Sequence, residues 1–288
     1  MKTTPANPSD IIQRREQRWM LLLMSPALLV IVVLLLIPLG WLAWQSVYDG
    51  GFTSAHYSRI WNDTVYWNTF ALTFRISITV TVLTLLLGYP VAYLAVKMPY
   101  KWAMVVLAMV VLPFWTSVLV RAYAWLILLQ RTGLINEALV YLGIADGPLK
   151  LVHNELGTVI ATVHILLPFM VLPLYAAMKK IPDDLTMAAS SLGARPSMAF
   201  WRVFMPLSLS GVLAGATLVF VLCLGFYITP ELMGGGRTIM VSMVVARNVE
   251  LYNQWGAASA VSIVLLLCVL AVFYIVSRVV PLDRILAK

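Results

Sequence analysis

The chain has 288 residues, of which 61% are hydrophobic and 11% charged. Soluble domains carry about 25% charged residues, and their helices are shorter and keep a polar face, so this composition excludes an ordinary soluble fold. The net charge of +8 would suit a nucleic-acid binder, but the placement of the basic residues points elsewhere.

The N-terminal tail, residues 1–19, is polar, holds Pro5 and Pro8, and is expected to be flexible up to the basic cluster Arg14, Arg15 and Arg18. Six long uncharged runs follow: Met20–Tyr48, Ile76–Val96, Trp102–Val120, Leu156–Met178, Val203–Pro230 and Leu251–Ser277. Each reaches the roughly 17–25 residues a helix needs to cross the hydrocarbon core. The first run exceeds the apolar stretch of a signal peptide and lacks a small-x-small site before Trp41 and Trp44, so it reads as a retained helix. The expected fold is therefore all-α, with six transmembrane helices in a membrane domain over residues 20–280 and a short C-terminal tail over 281–288. Gln45 to about Thr73 is expected to be an outer segment, with Trp61, Tyr66 and Trp67 at the membrane–water interface. Lys97–Lys101 reads as a tight inner turn. Arg121 to Glu155 reads as a long outer segment that starts as a continuation of the third helix, reaches Gly133, Gly143 and Gly147-Pro148, and holds a short interfacial helix near Ile135–Leu142.

Charge sets the orientation. With the N-terminus inside, the inner segments hold thirteen of the twenty basic residues: Lys2, Arg14, Arg15, Arg18, Lys97, Lys101, Lys179, Lys180, Arg195, Arg202, Arg278, Arg284 and Lys288. The outer segments hold the other seven and are balanced by Asp49, Asp63, Glu137, Asp146, Glu155, Glu231 and Glu250. This positive-inside bias predicts that both termini are cytoplasmic. It accounts for the basic excess through topology and membrane lipid, with no nucleic-acid partner.

Cys223, Cys268, His56, His153 and His164 are scattered and make no metal-ligand spacing, so a structural role is expected for all five. Pro38, Pro90, Pro113, Pro168, Pro173, Pro206 and Pro230 fall inside or at the ends of spans, where each removes a backbone donor and can kink a helix. Gly211 and Gly215 form a small-xxx-small pair that suits close helix packing. None of the six runs holds Asp, Glu, Lys or Arg, which argues against an ion-coupled carrier. The lack of nucleophiles, metal ligands or paired carboxylates within a span argues against a membrane enzyme, and no catalytic residue or cofactor of this chain is expected. The phosphate-binding pattern G-x-x-x-x-G-K-[ST] is also missing, so any ATP-driven step needs another subunit.

Residues 179–206 form the most informative inner segment. Asp183 or Asp184 can cap a helix, whose apolar stripe would be Leu185, Ala188, Ala189 and Leu192. Gly193 suits the left-handed residue that ends it. Pro196 suits the first turn of a second helix, with Phe200, Val203 and Phe204 on its apolar face. Two short helices broken at a glycine make a knob for a groove in a partner.

This segment resembles the loop of permeases from binding-protein-dependent, ATP-driven (ABC) importers, whose pattern is E-A-A-x-x-x-G-x(9)-I-x-L-P. Here Met187-Ala188-Ala189, Gly193 and Val203-Phe204-Met205-Pro206 stand at that spacing. Met187 departs from the family's Glu. Leu87-Gly88-Tyr89-Pro90-Val91-Ala92-Tyr93, Leu112-Pro113-Phe114-Trp115-Thr116-Ser117, Arg121-Ala122-Tyr123-Ala124-Trp125 and Gly133-Leu134-Ile135-Asn136 are similar to the spermidine/putrescine permease subfamily, first permease type. So are Leu167–Tyr175 and Ile228–Gly235. The resemblance implies a type I ABC importer permease in the bacterial inner membrane, working with a second homologous permease, two ATPase subunits that bind ATP and Mg, and a periplasmic substrate-binding protein. It assigns ATPase coupling to Met187, Ala188, Ala189, Leu192, Gly193, Ala194 and Arg195. With Met at 187, the facing ATPase surface is expected to be apolar or neutral, or the second permease to carry the ionic contact. A polycation calls for a carboxylate and aromatic faces; Glu231 beside Tyr227, and Trp115 beside Thr116 and Ser117, are the pathway candidates. The alternative cargo is another small cationic or amino compound.

Overall fold

A backbone in lipid must satisfy its own N–H and C=O groups, which leaves the helix as the way to use long apolar runs. The computed structural model describes residues 8–48 and 50–279, and among these the regular structure is helical. Helix α1 (Pro8–Val47) packs along the last helix, α13 (Trp255–Val279). It starts at Pro8, so the part of the tail within the described residues is helical and continuous with the first span; the expected flexible stretch up to Arg18 is corrected there. Residues 1–7 and 281–288 lie outside the described residues.

The expected outer segment after α1 is mostly helical. Helix α2 (Ala55–Asn62) is tied back by Tyr57, whose hydroxyl donates to Ser46 Oγ at 2.8 Å. Asp63 then starts α3 (Thr64–Lys97), its carboxylate accepting from Val65 N–H at 2.9 Å. At 34 residues α3 is roughly 50 Å long, well beyond the core of the bilayer.

Helices α3, α7 (Glu155–Met178) and α10 (Met205–Leu224) form the centre of the molecule. Their shared core includes Ile76, Val80, Met170, Leu174, Val219 and Cys223, all essentially inaccessible. Gly211 and Gly215 let α10 close on α7. A Cβ at Gly211 would lie 2.6 Å from Ala177 Cβ, and one at Gly215 2.8 Å from Met170 Sδ, so the small-xxx-small pair does what its spacing promised.

The third crossing differs from expectation. The run Trp102–Val120 is broken: α4 (Tyr100–Val111) passes into a 3-10 turn at Leu112–Trp115, Thr116 and Ser117 are extended, and α5 (Val118–Leu129) resumes. Pro113 and the extended residues interrupt the hydrogen-bond ladder. Each half has twelve residues, roughly 18 Å, too short to cross alone. Six stretches long and apolar enough to cross remain among the described residues, with Tyr100–Trp115 as a shorter apolar helix beside them.

The interfacial helix appears as α6 (Leu134–Tyr141). Asn136 fixes the loop after it, donating to Gln130 O at 3.0 Å and Leu149 O at 3.1 Å and accepting from Leu149 N–H at 2.8 Å. Past α7 come α8 (Asp183–Ser191), α9 (Pro196–Ala199) and a π-helical turn at Phe200–Phe204 that runs directly into α10. The fifth crossing ends at Leu224, six residues short of the end of the Val203–Pro230 run; Gly225–Tyr227 break it. Two further helices, α11 (Ile228–Met233) and α12 (Val241–Glu250), precede α13. The start of α12 docks on α3, where Val241 N–H donates to Thr73 Oγ1 at 3.0 Å.

With these boundaries, the long helices are not charge-free: Lys97, Glu155 and Arg278 lie at the ends of α3, α7 and α13, and two charges lie further in. Arg75 lies in α3 and Arg121 in α5, because both helices extend past the uncharged runs by which they were recognised.

Candidate functional site

Two regions carry the residues singled out by the sequence. The first is the loop between α7 and α10. Helix α8 begins after Pro182, and neither Asp183 nor Asp184 caps it through its side chain. Asp183 instead accepts from Lys97 Nζ at 2.6 Å, joining α8 to the end of α3. That hydrogen bond and the lysine charge hold the Asp183 carboxyl below its ordinary range. The helix ends as its glycine demands. Gly193 has φ +84°; its N–H donates to Ser190 O at 2.9 Å and Ala194 N–H to Ala189 O at 3.0 Å, the paired bonds of a left-handed helix stop. Arg195 is the exposed residue before α9, and Pro196 opens that helix.

The expected apolar stripe is not folded back onto the chain. Leu192 is 90% exposed, and Leu185, Met187 and Ala188 are exposed as well, while Ala189 and Ala194 are half-buried. Met187, Thr186 and Ser190 also border a cavity of about 390 Å³ backed by Tyr93, Phe200 and Phe204. The residues of this loop thus form a knob with an open apolar tip, held at its base by Lys97–Asp183 and the aromatic turn.

The second region is the pair of broken crossings. Trp115, Thr116 and Ser117 all lie in the break of the third crossing and are exposed, Trp115 at 88%. Thr116 Oγ1 donates locally to Pro113 O at 2.7 Å. The depth of this break follows from α7. Phe114 packs on Phe169 with ring centroids 5.5 Å apart, fourteen residues or roughly 21 Å from the Glu155 end of a helix roughly 36 Å long. The break therefore lies near the middle of the crossing.

Tyr227 lies in the break of the fifth crossing and is half-buried against the central core. This break is closed by protein: Ser242 Oγ donates to Phe226 O at 2.7 Å. Helix α11 packs against α5 and α7, so the two breaks share a neighbourhood. Among the described residues, no side chain of the five pathway candidates hydrogen-bonds to another; Glu231 and Tyr227 are linked by the backbone alone, Glu231 N–H donating to Tyr227 O at 3.1 Å. Glu231 faces Arg247 of α12, Oε1 to Nη2 at 3.7 Å, rather than Arg237. Of the three glycines after it, two are packed: a Cβ at Gly234 would lie 2.8 Å from Thr238 Cβ, and Gly235 sits against His153 with φ +56°; Gly236, with φ +74°, has open space around it.

Sequence reasoning missed Arg247, Arg121 and the pair Arg75–Glu155, which joins α3 to α7 and includes Nε to Oε1 at 3.1 Å. Arg247 was hidden because its segment, read as a loop, folds as α12; Arg121 lies on the expected continuation of the third helix, but its burial was not legible.

Comparison with known proteins agrees with this arrangement. Residues 6–282 match the family described as binding-protein-dependent transport system inner membrane component. The chain is 35% identical over 228 residues to the spermidine/putrescine transport system permease protein PotB of Haemophilus influenzae, covering 77% of this chain and 78% of that protein. It is 33% identical over 225 residues to PotB of Escherichia coli strain K12, covering 77% and 82%. The fold matches a chain of the bacterial alginate ABC transporter, solved in complex with an alginate pentasaccharide-bound periplasmic protein, with TM-score 0.69 and 18% identity over 96% of this chain and 98% of that one. A membrane fold of six crossings and a family match over nearly the whole length lead to one assignment: the chain belongs to the binding-protein-dependent transport system inner membrane components, as a pore-forming permease subunit and not an enzyme.

Proposed function

We propose that this chain is the permease subunit of an ATP-driven importer that carries polyamines of the spermidine and putrescine class from a periplasmic binding protein into the cytoplasm. The observation that carries the transport reading is the broken third crossing. Non-helical backbone at mid-membrane depth is tolerated only where protein or a water-filled path covers it, and here it presents Trp115, Thr116 and Ser117 outward. Support for the cargo comes from the PotB relatives. It also comes from Glu231, which stands opposite a cation, Arg247, in this structure; a carboxylate that can hold a guanidinium can hold a substrate ammonium.

In this reading both termini and the segment 179–206 are cytoplasmic, with residues 1–19 and 281–288 as tails of the membrane domain 20–280. The knob of Met187, Ala188, Ala189, Leu192, Gly193, Ala194 and Arg195 docks on an ATPase subunit. Two such subunits bind ATP and Mg, and a second homologous permease completes the path. The open apolar tip at Leu192 and Met187 favours an apolar or neutral ATPase groove. The test is uptake of labelled spermidine and putrescine by cells that lack polyamine import and express this chain with its neighbouring transport genes. Uptake that needs this chain and saturates with either amine supports the reading. Uptake of a different cationic or amino compound, with neither polyamine competing, replaces the cargo.

A further inference from the structure

Glu231 and Arg247 meet across a seam. Glu231 sits in the first turn of α11, which packs on α5 and α7; Arg247 sits in the last turn of α12, which packs on α13 and α3. Each helix is seated without the other. Thr229, Pro230 and Met233 are buried under α11, and Val241, Met243 and Asn248 under α12. The start of α12 is also tied down by Val241 N–H on Thr73 and by Ser242 on Phe226 O. The ion pair itself is loose. Its atoms are 3.7 Å apart and its side chains 34% and 39% exposed, beyond the reach of a hydrogen bond. An exposed pair of this kind adds little to stability, so bracing the two helices does not account for it.

The guanidinium has a second place to go. Arg247 also lines a cavity of about 210 Å³ shared with Arg59, Asp63 and Tyr66. Arg59 is engaged there: Nη1 donates to Gln254 Oε1 at 3.3 Å, and the guanidinium lies 5.8 Å from the centroid of the Tyr66 ring. Asp63 accepts from Val65 N–H with Oδ1 and is in no ion pair among the described residues. Arg247 therefore stands between two carboxylates, Glu231 in contact and Asp63 around the same cavity. Its five donors sit at the end of a long side chain, which can turn from one carboxylate to the other while α12 stays in place.

We propose that Arg247 is a built-in competitor for Glu231: it holds that carboxylate in the empty transporter, gives way to a substrate ammonium and turns to Asp63. This rests on the reading of Glu231 as a substrate contact, given above. Tyr227, one turn before Glu231, offers an aromatic face to the same ammonium. Competition lowers the apparent affinity of Glu231 for every cation by the fraction of time the guanidinium occupies it. Inorganic monovalent ions, held by one contact, leave the carboxylate to Arg247, whereas a polyamine held through several ammonium groups displaces it. Release is eased as well, because Arg247 returns to Glu231 as the amine moves on.

The test is a titration of spermidine into the purified transport complex in nanodiscs, without binding protein, read by saturation-transfer NMR. Arg247→Met is expected to bind spermidine about two- to fivefold tighter, the range set by a weak exposed pair, and Arg247→Lys to bind as wild type. Glu231→Gln is expected to bind more weakly, and Arg247→Met to bring no gain in that background. Asp63→Asn keeps the helix cap but removes the receiving charge. It is expected to weaken binding, and to change nothing once Arg247 is Met. A structural pair would give unchanged or weaker binding in Arg247→Met, and that result overturns the proposal. So does an equal gain from Arg247→Met with and without Glu231, which would show a general charge effect. If Arg247→Met fails to accumulate, Asp63→Asn decides: weaker binding supports the proposal, and unchanged or tighter binding overturns it. Unchanged binding in Glu231→Gln would sink the reading of Glu231 itself, an outcome distinct from weaker binding there with no gain in Arg247→Met.

Discussion

At the scale of single residues, the ion pairs define what each charge can do. Glu231 and Arg247 are both half-exposed and 3.7 Å apart, a loose pair that in the proposed function a substrate amine would enter. Glu231→Gln is expected to weaken uptake of spermidine by about five- to a hundredfold, the worth of a partly desolvated contact to a charged group, with the complex still assembled. Uptake measured over a range of concentrations checks this, and unchanged uptake at normal expression removes Glu231 from the path. Asp183 is of another kind. Lys97 depresses its pKa, so the pair is fully formed above the ordinary carboxylate range and is lost as pH falls through the lowered value. Hydrogen exchange of residues 183–191 should therefore be slow at neutral pH and faster in Asp183→Asn at the same pH; equal rates would show that the pair does not hold α8. The candidate residues Glu231, Tyr227 and Trp115 could be picked from the sequence by chemistry alone. Their partners could not, since Arg247 lies sixteen positions from Glu231 and meets it only because α11 and α12 fold as separate helices.

At the scale of elements, the knob between α7 and α10 was the most legible part. Gly193 marked its stop, Pro196 its second start, and the structure places both as the local rules require. Gly193→Arg is expected to leave the protein in the membrane and abolish uptake. At φ +84° any side chain is strained, and a long cation there obstructs docking. Co-purification of the ATPase with this variant reads the effect directly, and normal transport would remove the loop from the mechanism. The third crossing was misread because its hydrophobic run continues through the break: apolar residues report burial in lipid, while Pro113, Thr116 and Ser117 decide where the ladder stops. Helices α2 and α12 escaped notice because both are short, and both depend on tertiary ties such as Tyr57–Ser46 and Val241–Thr73.

At the scale of the whole molecule, membrane class and the number of crossings follow from composition and run length, since lipid leaves few alternatives. How the crossings pack does not follow: the α3–α7–α10 centre depends on glycines that admit a close approach. Orientation rests on the thirteen-to-seven basic asymmetry and is expected to put Lys288 in the cytoplasm, so a reporter fused there should be active inside, and a periplasmic signal would reverse the topology. The most direct measurement of the central claim is ATP hydrolysis by the purified complex in proteoliposomes, with its binding protein added empty, loaded with spermidine or loaded with putrescine. The account predicts that the polyamine-loaded protein raises hydrolysis and drives labelled amine into the lumen, and that Gly193→Arg abolishes both. Hydrolysis indifferent to either polyamine, or polyamine entry that continues without ATP, would contradict it.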